Sequence, residues 1–132
     1  QHDVRLLVEI EQAGMLHADE AQLSQALLNL LLNAVQASEP GSVVRLLSCA
    51  GAESTEIAVV DAGRGMAPDE LERACDPFFT TRPEGTGLGL ALVAAVVQEH
   101  GGIFQLESTL GAGTRASISL PQEGHDGARA GR

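Results

Sequence analysis

The chain has no lysine; its eight basic residues are all arginine. That excludes a Walker-type phosphate loop, which needs a lysine after its second glycine to reach the phosphates. Positive charge is scarce altogether, with 8 basic against 18 acidic residues and a formal net charge of -10. Nucleic acid or an anionic membrane as the main partner would need basic stripes, so both are excluded as expectations, and any bound anion must be held by local devices. Cys49 and Cys75 are too few and too far apart for a disulfide framework or a zinc site, which makes a reducing compartment the default. The opening QHDVRLLVEI lacks both a basic start and an apolar run, so no signal peptide or membrane span is expected. Those readings point to a soluble, cytoplasmic domain, which could belong to a longer and membrane-anchored parent. Aromatic residues are nearly missing too: three phenylalanines, two of them adjacent at 78 and 79.

What is present fits one domain. A length of 132 residues with 44% hydrophobic content supports a single core. Val4, Leu6, Val8 and Ile10 alternate with Arg5 and Glu9, the period of a half-buried strand. Asp19 and Glu20 supply an acidic start for a helix over 21–38, which Pro40 and Gly41 stop. Strands are predicted at 43–49 and 55–60, a short helix from Pro68, a longer helix from about Gly87 to His100, and two last strands at 103–108 and 115–120. This order implies an α/β two-layer sandwich, a mixed sheet of about five strands with about three helices on one face. The domain is expected to span 1–121, with 122–132 as a disordered tail.

Three segments carry candidate chemistry. Helix 21–38 has no charged residue but carries Gln22, Gln25, Asn29, Asn33 and Gln36. At about 100° per residue these fall on one narrow face with apolar flanks, Ala26 and Leu32, so the face reads as partly buried. Buried amides need partners, either neighbouring backbone and one another or a ligand. Asn29 and Asn33, one turn apart, present two neutral oxygens suited to a hydrated Mg²⁺ already carried by phosphates. DAGRGM at 61–66 is an Asx turn or a site in which Asp61 accepts from an exocyclic amine while Gly63 and Gly65 let backbone approach a flat ring. GTGLGL at 85–90 is a hinge, tight packing, or a phosphate cradle. Gly85, Gly87 and Gly89 lead into a helix N-terminus, where free N–H groups favour an anion, with Arg82 just before.

In order, QALLNLLLNAVQA, DAGRGM, DPFFTT and GTGLGLALV, with HGGIFQLES and GAGT behind them, resemble the ATP-binding catalytic domain of bacterial sensor histidine kinases. These kinases share a superfamily with gyrase, the Hsp90 chaperone and MutL. The resemblance covers roughly residues 3–121, and PFFTTRPEGTGLGL looks most like kinases of the nitrogen-regulation type. It implies ATP and Mg²⁺ as ligands. Asn33 resembles the magnesium-binding asparagine, and Asn29 resembles a residue facing the phosphates. Asp61 resembles the adenine-reading aspartate, with Gly63, Gly65 and Met66 lining the ring and Thr114 near the adenine end. Phe79, Thr80, Thr81, Arg82, Gly85, Thr86, Gly87, Leu88 and Gly89 match lid and phosphate-cradling positions, and Gln36 a possible phosphate contact.

Three positions depart from the family's pattern: Gln36 stands for a frequent lysine, Cys75 for a phenylalanine and Ala116 for an aromatic. Gln36 leaves more of the phosphate charge to Arg82. The related ATPases place a glutamate where Asn29 stands, and an asparagine cannot take a proton from water at neutral pH. Phosphoryl transfer to a neutral imidazole is therefore favoured over hydrolysis. In the family that histidine lies on a separate dimerisation domain, and a response regulator is the downstream partner. His100 reads as a helix C-terminal residue favoured by the dipole, and His2, His17 and His125 receive no catalytic role. A nucleotide-sensing module, an ATPase of the same superfamily and a serine-phosphorylating anti-sigma relative are the alternatives.

Overall fold

The computed structural model describes residues 4–12, 19–77 and 89–121. Strand β1 (Arg5–Gln12) is followed by helix α1 (Glu20–Ala37), strands β2 (Val43–Ala50) and β3 (Ser54–Asp61), and a short helix α2 (Pro68–Arg73). Helix α3 (Gly89–Glu99) and strands β4 (Ile103–Thr109) and β5 (Gly113–Pro121) complete the fold. The sheet runs β1-β2-β3-β5-β4. Only the β1–β2 pair is parallel, so the sheet is mixed, as expected.

Local chemistry sets the boundaries. Asp19 caps α1 by accepting the Gln22 N–H at 3.0 Å, satisfying one of the helix's otherwise orphan donors. At the other end Ser38 leaves the helix in extended backbone, and its buried hydroxyl donates to the Ala34 carbonyl at 2.6 Å. Helix α2 begins on Pro68, where a missing N–H costs nothing, and Glu70 accepts the Ala67 N–H ahead of it. Helix α3 ends at Gly101, whose φ of 72° is readily available only to glycine.

Alternation along each strand sorts side chains between the two faces of the sheet. On the inner face Val44, Val59, Ala116, Ile118 and Leu120 are buried. They meet Ala26, Leu30 and Ala34 of α1 and Val93, Val96 and Val97 of α3 in one core. Full burial of a Val or Leu contributes about 1.5–3 kcal/mol, so this apolar layer is what holds the helices to the sheet.

One expectation is corrected. Strand β1 is not half-buried by alternation: Leu6 (55%), Leu7 (45%) and Val8 (51%) are all substantially exposed. It is an edge strand paired with β2, and among the described residues the helices pack mainly over β3 and its neighbours rather than over β1. The amide face of α1 is partly buried, as expected, and the covered part is narrow. Asn29 and Asn33 are half-buried, but Gln22, Gln25 and Gln36 are exposed, as is Leu32 on the outer flank at 48%. Because the stripe lies along the border between core and solvent, only its inner edge is covered.

Candidate nucleotide-binding site

The register of the sheet assembles a row of polar side chains at one end of the inner face. Val59 pairs with Ala116, and Ala116 with Leu106, in an apolar row. Two residues further toward that end Asp61 pairs with Thr114, and Thr114 with Ser108. With a side-chain period of two, these three lie on the same face as the core residues beside them. The apolar layer therefore ends in an Asp–Thr–Ser row.

Asp61 is buried and accepts the Gly63 N–H at 2.8 Å. Burial pushes its carboxyl above the ordinary aspartate range, and the backbone N–H groups of Gly63 and Thr114 pull it partly back down. The Asx turn and the ligand site, posed as alternatives by the sequence, share these atoms: one carboxylate oxygen makes the turn.

The glycines of 61–66 have a structural reason of their own. A side chain at Gly63 would run into the Ala37 carbonyl, and one at Gly65, where φ is +69°, into the Thr109 carbonyl. On the side where a side chain would stand, backbone of this chain already fills the space at both glycines. The loop is clamped between the end of α1 and the β4–β5 turn, with the Arg64 N–H donating to Ala37 O at 3.3 Å and the Gly111 N–H to Arg64 O at 2.6 Å.

Ser108, which sequence reasoning did not single out, is a junction. It accepts the Met66 N–H at 2.8 Å, donates to the Gly113 carbonyl at 3.0 Å and meets the Thr114 hydroxyl at 2.8 Å. The available signal was a hydroxyl residue six positions before Thr114 across a glycine turn, and it becomes specific only once the hairpin register is known.

Asn33 lies one helical turn, about 6 Å of rise, before Ala37. Its side-chain oxygen faces the first residue of α3, 4.0 Å from where a Gly89 side chain would begin. Asn29 donates to the Gly89 carbonyl at 3.5 Å and accepts from Gln25 at 3.2 Å. The reading in which amides partner one another and backbone therefore holds for Gln25 and Asn29. Helices α1 and α3 run antiparallel, and their far ends are also joined: the Asp19 N–H donates to His100 Nε2 at 3.0 Å, and His100 Nδ1 lies 2.8 Å from the Val96 carbonyl. With Nε2 accepting, the ring is neutral and carries its proton on Nδ1, which donates to Val96.

The fold thus brings Asp61, Gly63, Gly65, Met66 and Thr114 to one sheet end, continuous through Ala37 with Asn33, Asn29 and Gly89. Gln36 lies on the exposed side of α1. Phe79, Thr80, Thr81, Arg82, Gly85, Thr86, Gly87 and Leu88 lie outside the described residues. Among the described residues no group of three His, Cys, Asp or Glu could hold a metal ion, so a cation here would depend on neutral oxygens and on its own ligand.

Two antiparallel helices on a mixed sheet, with a buried aspartate and a clamped glycine loop at the sheet end beside them, define a class, and residues 18–124 match its model. The chain belongs to the histidine kinase-, DNA gyrase B- and HSP90-like ATPase family. Among individual proteins it is 44% identical over 106 residues to the sensor histidine kinase ZraS of Escherichia coli, covering 80% of this chain and 23% of that one. It is 36% identical over 107 residues to sporulation kinase C of Bacillus subtilis, covering 81% and 25%. The chain thus spans about a quarter of the length of these relatives. Among solved structures it resembles the mycobacterial sensor histidine kinase MprB, with a TM-score of 0.82, 32% identity, and 91% and 83% of the two chains covered. Full-length ShkA in complex with AMPPNP gives a TM-score of 0.81 at 31% identity, over 90% of this chain and 26% of that one.

Proposed function

We propose that this chain is the catalytic ATP-binding domain of a sensor histidine kinase, passing the γ-phosphoryl group of Mg-ATP to a histidine on a separate dimerisation domain of its parent. The observation that carries the reading is the buried Asp61, an acceptor at the sheet end, with Asn33 beside the start of α3 on the adjoining helix. Asp61 would accept from the 6-amino group of adenine, with Thr114 beside it. Asn33 is the residue that would hold magnesium, which when bound supplies charge neutralisation on the phosphates. The N–H groups at the start of α3, together with Arg82, would receive phosphate oxygens. Relatives named sensor histidine kinases and a structural neighbour with AMPPNP bound support this assignment.

Positioning and charge neutralisation are the main demands of phosphoryl transfer. Asn29 supplies no base for water, and its amide is tied to Gln25 and Gly89, which supports transfer over hydrolysis. The partners proposed are therefore the histidine-bearing domain and, downstream, a response regulator, with the domain working in the cytoplasm. The test mixes the chain with Mg-ATP and a separately prepared dimerisation domain. Acid-labile phosphohistidine is the expected product, and rapid ATP turnover without any acceptor would instead favour an ATPase.

A further inference from the structure

Strand β1 lies at one margin of the sheet, and its backbone shows which of its groups face outward. The Arg5 N–H donates to the Ser42 carbonyl at 3.0 Å, so Arg5 turns its backbone groups toward β2. Successive residues of a strand point their N–H and C=O to opposite sides; Leu7 and Glu9 therefore also face β2, while Leu6 and Val8 face the open edge. Among the described residues no strand pairs with that edge. Two common guards of an exposed edge are missing as well, since the chain has no lysine and β1 no proline. Leu6, Leu7 and Val8 are exposed beside it.

Unmet backbone donors and acceptors take any strand, and the side chains choose among strands. Arg5 to Glu9 reads RLLVE, in which charge inverts about Leu7. Two copies laid antiparallel with Leu7 at the centre set Arg5 of each opposite Glu9 of the other, and Leu6 opposite Val8. The Leu6–Val8 pairs are those whose open backbone groups exchange hydrogen bonds. Leu7–Leu7 and the two Arg5–Glu9 contacts then fall at the non-hydrogen-bonded positions, where side chains approach most closely. Sliding either copy by two residues sets Leu7 against a charge instead. Within one copy Glu9 takes Arg45 on Oε1 at 2.7 Å, which fixes its carboxylate on the outer face and leaves Oε2 for a second cation. Among the described residues Arg5 has no acidic partner of its own.

We propose that β1 is a self-association edge: two copies of this chain pair antiparallel through Arg5 and Glu9, joining their sheets across a two-fold axis at Leu7. The proposal is independent of the nucleotide reading. One short strand per copy makes a small interface, so the association is weak.

Sedimentation equilibrium of the chain from about 10 μM to about 1 mM tests it, at about 0.15 M salt so that repulsion between two copies of charge -10 is screened beyond about 8 Å. Wild type should show a monomer–dimer equilibrium. Arg5→Glu sets two acids against each other at both contacts and Glu9→Arg sets two bases, so each variant alone should associate at least about tenfold more weakly. Mixed one to one, the variants are complementary again at both contacts, and the dimer should return. Both positions are exposed, and cooperative thermal melts confirm that each variant folds. Val8→Pro removes an N–H that faces the open edge rather than β2, and should abolish the dimer by itself. Hydrogen exchange at Leu6 and Val8 should slow from the lowest to the highest concentration, with no such change in β4 at the opposite margin. A wild type that stays monomeric at the top of the range, or a mixture that stays monomeric where wild type pairs, would overturn the proposal. So would a dimer that survives Val8→Pro; should that variant lose its melt, the mixture decides alone.

Discussion

Burial raises the carboxyl of Asp61, so the native chain holds a proton that the unfolded chain releases at the ordinary aspartate value of about 3.9. As pH climbs from there through the raised folded value, the unfolded state binds fewer protons than the native one and stability falls. Asp61→Asn keeps the shape and removes the ionisation. Urea titrations should therefore find the variant gaining on wild type as pH rises from about 3.5, levelling off once Asp61 is fully ionised. A lead that shrinks with rising pH would contradict the burial argument. The same variant should bind ATP more weakly, so the residue would trade stability for recognition. The two thiols differ for a related reason: burial, with Asp76 beside it, raises Cys75, whereas Cys49 is exposed. Since the thiolate is the reactive form, iodoacetamide should label Cys49 several-fold faster, as read from the two peptides by mass spectrometry.

At the scale of elements, what matters is how α1 and α3 are held. They are tied at one end by Asn29 to Gly89 and at the other by His100, which bridges the Asp19 N–H and the Val96 carbonyl. His100→Ala should cost about 1 kcal/mol in a denaturant titration, because it leaves the Asp19 N–H ahead of α1 without its partner, while the Val96 carbonyl keeps the backbone N–H of residue 100. A cost near zero would reduce the residue to the dipole role that its position at a helix C-terminus suggested. Element positions were largely legible in the sequence: Asp19 before α1, Pro68 opening α2 and the Gly101–Gly102 pair closing α3 all act locally. The function of His100 was not, because its partner is 81 residues away. Ser108 escaped notice for a similar reason, since nothing in LEST marks its serine as a junction until Thr114 is brought opposite.

Across the whole molecule, protection should follow the order of the sheet. Strands β3 and β5 are interior and carry the core residues Val59, Ala116, Ile118 and Leu120, whereas β1 is an edge with Leu6, Leu7 and Val8 exposed. Hydrogen exchange should therefore be slowest for the amides of β3 and β5 and fastest, among the strands, for those of β1. A β1 as protected as β3 would mean that another surface covers that edge. The net charge of -10 gives no hint of an anion site. Locally, however, a helix N-terminus can attract phosphate within an acidic protein, because the field of its N–H groups acts over the first turn.

Local pattern alone determined the helices and strands, the inward face of β2 to β5, the break from apolar to polar at Asp61 and Thr114, and the glycine loops that place this chain in its family. These follow from side-chain period, capping and turn chemistry, all of which act within a few residues. Tertiary structure decided which of those features share an environment. It left β1 uncovered, confined the buried part of the amide stripe to Asn29 and Asn33, and set Ala37 and Thr109 against the two glycines. It also closed Ser108, Thr114 and Met66 into one hydrogen-bonded junction. A strand's period says which way a side chain points, but only strand order and register say what it meets there.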